Sequence, residues 1–285
     1  MKTRISKKEL PISVVIRCGN DLSGLLRCVD SIDENVEIVA SISQGAKFIS
    51  KIRKNIEIAV ATHPYGNWSI AAENGIKKTT NNFIIIMDSD SVFTKGAIRR
   101  IYKALALGNL IVQSRINFMT TSSLTSKIIA NSRSFENQYE PRAYSPGLGL
   151  NRKALISKIG IDGCIYNSQV MFADDGNIDK RARENGISIF VEKNATICHD
   201  PVDLKHEIRT AYHLGIGDHQ GETESHNLLY PILKNFMNRD IRKYYVCAFK
   251  QYGWETGLVV LLWRVVYIFG YYRDIFSPYR NRYIS

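Results

Sequence analysis

No two cysteines of this chain stand in CxxC spacing. The five present, Cys18, Cys28, Cys164, Cys198 and Cys247, are scattered and odd in number. They build neither a disulfide framework nor a zinc cage and read as reduced thiols of a cytosolic protein. Residues Met1 to Leu10 are charged and lack the apolar core of a signal peptide. There is no internal repeat and no low-complexity segment. A membrane-crossing helix needs about 20 apolar residues; the best stretch, Gly257 to Tyr272, is shorter and is interrupted by Arg264. What is left is an ordinary globular composition, 45% hydrophobic and 23% charged over 285 residues, long enough to bury a sizeable core. The charge is unbalanced, at +11, which points to an anionic partner: a nucleotide, a phospholipid surface or a nucleic acid. No nucleic-acid recognition motif accompanies the charge, so nucleic acid is not expected.

The chain is organised around Phe83-Ile84-Ile85-Ile86-Met87-Asp88-Ser89-Asp90. An unbroken apolar run of this length reads as a strand buried on both faces, typical of a parallel sheet covered by helices. Such sheets bind ligands beyond the carboxyl ends of their strands, where Asp88 and Asp90 fall. Residues two apart point the same way if the extended form persists. Two carboxylates on one side then need a positive charge between them, and a divalent cation holding a diphosphate supplies it. A solvated turn is the plain alternative, because Asp and Ser favour turns.

Around that strand the first half alternates. Strands are expected at Ile12 to Ile16, Glu37 to Ser41 and Ile56 to Thr62, and the regularity fades after Leu110 to Arg115. Helices are expected after Asn20 or Asp21 as cap, over Lys47 to Lys54, Ser69 to Thr80 and Ala97 to Ala106. This predicts a three-layer α/β fold with a mostly parallel sheet. Thr120 to Glu140 reads as helical, Tyr144 to Gly149 as a Gly/Pro-rich loop whose glycines either admit a ligand or simply connect. Helices follow over Asn151 to Ile159 and Ile178 to Asn185, with Ile187 to Val191 a strand and Thr196-Ile197-Cys198 leading to His199.

Two further groups carry chemistry. Asp174 and Asp175 open a helix, whose N-terminal dipole stabilises adjacent carboxylates whatever their role. One of them can also serve as a general base toward an attacking hydroxyl. Arg181, two turns in, either pairs with a carboxylate or is solvated. His199 is either structural or, beside two Asp ligands, the nitrogen of a mixed O/N site suited to manganese or magnesium.

In their order, the Val14-Val15-Ile16 strand with Asn20, Gly66, Asn74-Gly75, the Asp88-x-Asp90 strand end, Pro146 to Leu155, Asp174-Asp175 with Arg181 and Gly186, and His199 resemble a family 2 glycosyltransferase of the GT-A fold. The resemblance covers roughly residues 11 to 200. It implies a divalent metal at Asp88 and Asp90, approached by His199, and donor contacts at Asn20, Asn74, Asp88 and Arg181. It also implies an inverting transfer from a nucleotide-sugar to a hydroxyl of a glycan or lipid-linked acceptor, with Asp175 rather than Asp174 as base. The setting it implies is cell-surface polysaccharide synthesis. Two places depart from the family. The first loop is Arg17-Cys18-Gly19-Asn20, and Ser41 to Gly45 lacks the acidic residue that meets base or ribose, so uridine is not assumed. A sugar nucleotidyltransferase and a non-catalytic nucleotide-binding protein are the competing readings.

The expected division is a catalytic domain over 1–226 and a helical tail over 227–285. The tail holds nine Lys/Arg against three acidic residues and nine of the fifteen tyrosines. It reads as an interfacial helix or one packed on the domain, with an anionic membrane surface as a further partner. The expected location is cytoplasmic, peripheral on the inner face of the membrane.

Overall fold

The computed structural model describes residues 9–47, 59–139, 141–221, 232 and 239–277. The helix expected over Lys47 to Lys54, except its first residue, and the start of the third strand lie outside them. The chain forms two compact units.

The first unit comprises Met1–Asn117, Pro141–Ser168 and Asp174–His199. Its strands are β1 (Ile12–Cys18), β2 (Glu37–Ser43), β3 (Ala59–His63), β4 (Phe83–Asp88), β5 (Ser91–Phe93), β6 (Ile111–Phe118), β7 (Leu148–Asn151) and β8 (Ile189–His199). The sheet order is β3-β2-β1-β4-β7-β6-β8-β5. β3, β2, β1 and β4 run parallel; β7 is antiparallel to both β4 and β6, so β6 shares the common direction. β5 pairs antiparallel with β8. Helices among the described residues are α1 (Leu22–Asp30), α2 (Trp68–Lys77), α3 (Ala97–Ala106), α4 (Leu124–Tyr139), α5 (Arg152–Ile159), α6 (Asp174–Glu184), α7 (Leu204–Gln220), α8 (Arg239–Tyr252) and α9 (Trp254–Phe276).

Burial follows the strand period of two. Val14, Ile16, Ile85 and Met87 enter one apolar cluster with Leu25 and Cys28 of α1 and Ile98 and Ile101 of α3. Val15, Ile84 and Ile86 enter another with Ala72 and Ile76 of α2 and Ile178 and Ala182 of α6. This is the three-layer arrangement expected of a strand without polar alternation, each fully buried aliphatic contributing about 1.5–3 kcal/mol. Asp21, not Asn20, caps α1 by accepting from Gly24 N at 3.0 Å. Gly75 sits where a Cβ would drive into Val15, which lets α2 lie close on β1.

The expected loop at Tyr144 to Gly149 is half strand. Gly147 N donates to Ile86 O at 2.8 Å, and β7 begins at Leu148. A Cβ on Gly147 would strike Ser114 and Ile197, and one on Gly149 would lie 2.6 Å from Ile101. Both glycines serve internal packing rather than the approach of a ligand.

The second unit comprises Phe118–Glu140, Gln169–Ala173 and Asp200–Ser285 and is built from α4, α7, α8 and α9. A Cβ on Gly215 of α7 would meet Tyr267 O, and one on Gly270 of α9 would meet Tyr212 O, so these two helices touch backbone to backbone. Arg264, the charge that interrupts the apolar run of α9, is half-buried: it lies 3.5 Å from Glu136 and against the rings of Trp263 (4.9 Å) and Tyr244 (5.5 Å). Arg133, half-buried, and Glu207, buried, form a second pair at 2.6 Å. No helix among the described residues is long and apolar enough to cross a membrane.

Candidate active site

Register builds the site. In the parallel pairing of β1 with β4, Arg17 is the partner of Asp88. Alternation puts both on the face of Val15 and Ile86, at the carboxyl ends of their strands. The guanidinium takes the Asp88 carboxylate as a fork, Nε to Oδ1 at 2.8 Å and Nη2 to Oδ2 at 3.1 Å. Nη1 donates to Asp174 Oδ2. Nη2 also donates to Ser145 Oγ at 2.8 Å, and the group lies over the Trp68 ring at 5.7 Å. Arg17 is 5% exposed, so its charge is fixed and these carboxylates are its compensation. Its proton is held more firmly than usual, Asp174 and Asp88 outweighing the burial that opposes charge.

The strand does not persist through the acidic motif. Ser89 and Asp90 form a turn between β4 and β5, so the two carboxylates part. Asp88 faces Arg17, while Asp90 Oδ2 lies 3.6 Å from His199 Nε2. His199 is brought there by the β5–β8 ladder, in which it is the partner of Ser91. The cation that Asp88 calls for is therefore present in the chain itself.

The chain enters α6 through Ala173, held at φ 57°, a left-handed conformation that costs a residue with a Cβ about 1–2 kcal/mol. The helix begins at Asp174, as the acidic pair suggests, ahead of the apolar pattern that starts at Ile178. Asp174 is buried against Arg17; burial raises its pKa and the guanidinium opposes the rise. Asp175 is half-buried. Its Oδ2 accepts from Ser145 N at 3.2 Å and from Ser145 Oγ at 3.4 Å, and its Oδ1 from Gly176 N at 2.8 Å. Burial, with the neighbouring Asp174 carboxylate adding to it, pushes Asp175 up to about 7. Three carboxylates surround one guanidinium, and Asp175, the one that Arg17 does not bond, is poised to exchange its proton near neutrality.

The remaining expected residues fall elsewhere. Asn20 is exposed in the loop after β1. Asn74 donates from Nδ2 to Thr62 O at 2.8 Å, tying α2 to β3. Arg181 pairs with neither Asp174 nor Asp175 among the bonds it makes: it donates to Asn177 Oδ1 at 3.0 Å, to Ile165 O at 2.6 Å and to Ile159 O. Arg181→Met should therefore strip buried carbonyls of their donors and lower unfolding stability by about 1.5–3 kcal/mol, as urea unfolding would read, with donor affinity kept in the folded variant. Two members were not named from sequence, Arg17 and Ser145. The only signal for Arg17 was its place as a charged residue directly after a buried strand. His63 fills the acid-free end of β2, its ring nitrogens 3.2 and 3.1 Å from Ser41 Oγ and Ser43 Oγ. Burial, with Arg17 adding to it, drops its pKa to about 4, so it stands there neutral.

A curled, mostly parallel sheet between helices, with acidic side chains gathered at its carboxyl edge, defines a GT-A type of transferase fold. The model of the family described as Glycosyl transferase family 2 matches residues 13–172, more than half of the chain, and the protein belongs to that family. It is a glycosyltransferase, which decides against the nucleotidyltransferase and binding-only readings. Among solved structures it is similar to that of S. aureus TarS 1-349 in complex with UDP-GlcNAc, at 14% identity over 91% of this chain and 89% of that one, with a TM-score of 0.50. It is also similar to S. aureus TarS 1-349, at 15% identity over 91% and 88%, with a TM-score of 0.49. At such identity the likeness concerns the fold. No curated protein sequence matches the chain.

Proposed function

We propose that this glycosyltransferase moves a sugar, with inversion, from a nucleotide-sugar donor to a hydroxyl of a glycan or lipid-linked acceptor, in cell-surface polysaccharide synthesis. The observation that carries the reading is Asp175: a half-buried carboxylate held by Ser145 N–H and Gly176 N–H at a helix start beside the carboxyl edge of the sheet. In the reaction Asp175 Oδ takes the proton of the acceptor hydroxyl. The hydroxyl oxygen bonds to the anomeric carbon from one side as the bond to the diphosphate breaks on the other, and the nucleoside diphosphate leaves. Ser145 N–H and Gly176 N–H hold the carboxylate in place, and Arg17 fixes Asp174 so that only one of the adjacent carboxylates is free to act. Asn20, in the loop after β1, and Asp88, the last residue of β4, are the proposed donor contacts.

The residues fit a divalent cation in a particular way. Among the described residues no group of three His, Cys, Asp or Glu side chains converges. Asp90 Oδ2 and His199 Nε2, 3.6 Å apart, are within the span that one ion covers at about 2.0–2.2 Å per bond. A hard ion held by one or two protein side chains completes its shell with phosphate oxygens and water. Asp90 and His199 would hold it, with Asp88 available through oxygens shared with Arg17. When bound, the ion would neutralise charge on the departing diphosphate as a Lewis acid.

A thermal-shift screen of UDP-, GDP-, CMP- and dTDP-sugars with manganese tests the donor class, since a bound ligand raises stability by mass action. One sugar nucleotide should raise Tm with manganese and lose most of that rise in EDTA or in Asp90→Ala. Full donor turnover in EDTA would remove the metal from the account, and no response to any nucleotide-sugar would remove the donor.

A further inference from the structure

The second unit shows solvent an apolar stripe in helical register. Along α9, Leu258 (49% exposed), Leu262, Val265 and Phe269 (66%) recur at three- and four-residue steps, with Trp254 and Phe276 at the ends. Single exposed apolar residues are ordinary, but a run along one face of a helix ~33 Å long is not. The stripe widens onto α7, where Leu204 and Ile208, themselves exposed, line a shallow groove with Val259, Leu262, Trp263 and Glu207, whose carboxylate is paired with Arg133. The opposite face of α9 is committed: Val260, Tyr267, Ile268 and Tyr271 are buried, and Gly270 lies against the α7 backbone. The helix therefore cannot leave the unit to stand upright in a bilayer, and it is not long and apolar enough to cross one. It offers a surface, not a span.

The charge around the stripe selects the occupant. Lys205 and Arg209 each follow one of the α7 apolar residues and are exposed, against one exposed carboxylate, Asp203, at the helix cap. An apolar stripe with a basic fringe matches the boundary between acyl chains and anionic headgroups, where each basic side chain adds to binding and the apolar face adds burial. A second copy of the chain docked on the same face would be self-complementary, so both copies would present the same fringe and set like charges close together.

We infer that the α7–α9 face docks on an anionic lipid bilayer, with α9 lying in the plane of the membrane. The docking would bring the enzyme to a surface that carries lipid-linked acceptors, but it does not depend on the chemistry at Asp175. Flotation tests it, using vesicles of phosphatidylcholine with about 30 mol% phosphatidylglycerol and the full chain. Wild type should float at about 50 mM salt and lose most binding at about 500 mM, where headgroup attraction is screened. The triple substitution Leu258→Ser, Leu262→Ser, Phe269→Ser changes exposed side chains only, so the melting profile should be kept while vesicle binding falls by about tenfold or more. The pair Lys205→Glu, Arg209→Glu should weaken binding at low salt and spare the fold. Failure of wild type to float at low salt overturns the proposal. So does a triple variant that floats like wild type. A wild-type dimer in light scattering that becomes monomeric in the triple variant, with vesicle binding unchanged, would assign the face to a second copy instead. Donor turnover in vesicle-free solution is expected to be the same in wild type and both variants, which keeps this outcome separate from that of the proposed reaction.

Discussion

Arg17→Met should cost about 3–5 kcal/mol of folding stability, the penalty of removing one partner from a buried ion pair. Methionine fills much of the same volume, so the loss reports charge rather than a cavity. Among the described residues the guanidinium bonds both Asp88 at the end of β4 and Asp174 at the start of α6, and without it both carboxylates lose their shared counter-charge. Urea unfolding at neutral pH reads the effect. Lowering the pH should shrink the difference between variant and wild type, because protonated carboxyls no longer need a counter-charge. Arg17→Lys should recover only part of the loss: an ammonium cannot present the planar fork that meets Asp88 through Nε and Nη2 while reaching Asp174 through Nη1. A loss under about 1 kcal/mol in Arg17→Met, the size of an exposed pair, would show that the cluster is solvated and that Arg17 is not its centre.

Asp175→Asn should lower kcat by about 100-fold or more, the scale of a general-base contribution, with donor affinity close to wild type. The change keeps the shape and, through its one amide oxygen, the bonds from either Ser145 or Gly176, while removing the proton acceptor. Asp174→Asn should cost less in rate and more in stability, since it leaves Arg17 short of a partner. The wild-type rate should rise with pH and level off above about 7, the pH to which burial and Asp174 push Asp175; Asp175→Asn should lose that limb. The stability consequence has the opposite sign. A carboxyl whose folded pKa lies above its unfolded value stabilises the fold fully below the unfolded value of 3.8. That contribution is lost as pH rises through about 7. Above that, at about pH 8, the asparagine variant should therefore melt higher than wild type. If Asp174→Asn abolishes turnover and Asp175→Asn does not, the roles are exchanged; if neither loses activity, the start of α6 is structural.

The layers of the fold were readable because β1 and β4 are apolar without interruption, which only a sheet covered on both faces explains. Helix α3 was legible to the residue, from Ala97 to Ala106, because Ile98, Ile101 and Leu105 repeat at helical spacing. Strand β7 was not legible: Leu148-Gly149-Leu150-Asn151 is short and glycine-bearing, and looks like the loop it follows. Helix α7 gave no clear pattern, since its buried face rests on Ala211, Gly215 and Ile216, with glycine where a pattern needs a side chain.

The acidic motifs were visible in the sequence, but the charges that surround them were not. The Arg17–Asp88 pair joins residues 71 apart and follows from strand register. The Arg17–Ser145 bond spans 128 positions. A register or a turn such as Ala173 has no local signature, so the guanidinium that meets Asp88 could not be read from the sequence around it.

The central claim is that Arg17 divides two adjacent carboxylates into a locked ion partner, Asp174, and a proton-exchanging base, Asp175. Carbon-13 NMR titration of the aspartate side-chain carboxyls tests it without need of any substrate. One resonance should titrate near 7, the value to which Asp175 is pushed, and should be missing from Asp175→Asn but present in Asp90→Ala. An Asp175 carboxyl that titrates near the ordinary 3.8 would contradict the claim and return the base to an unassigned place on the edge of the sheet.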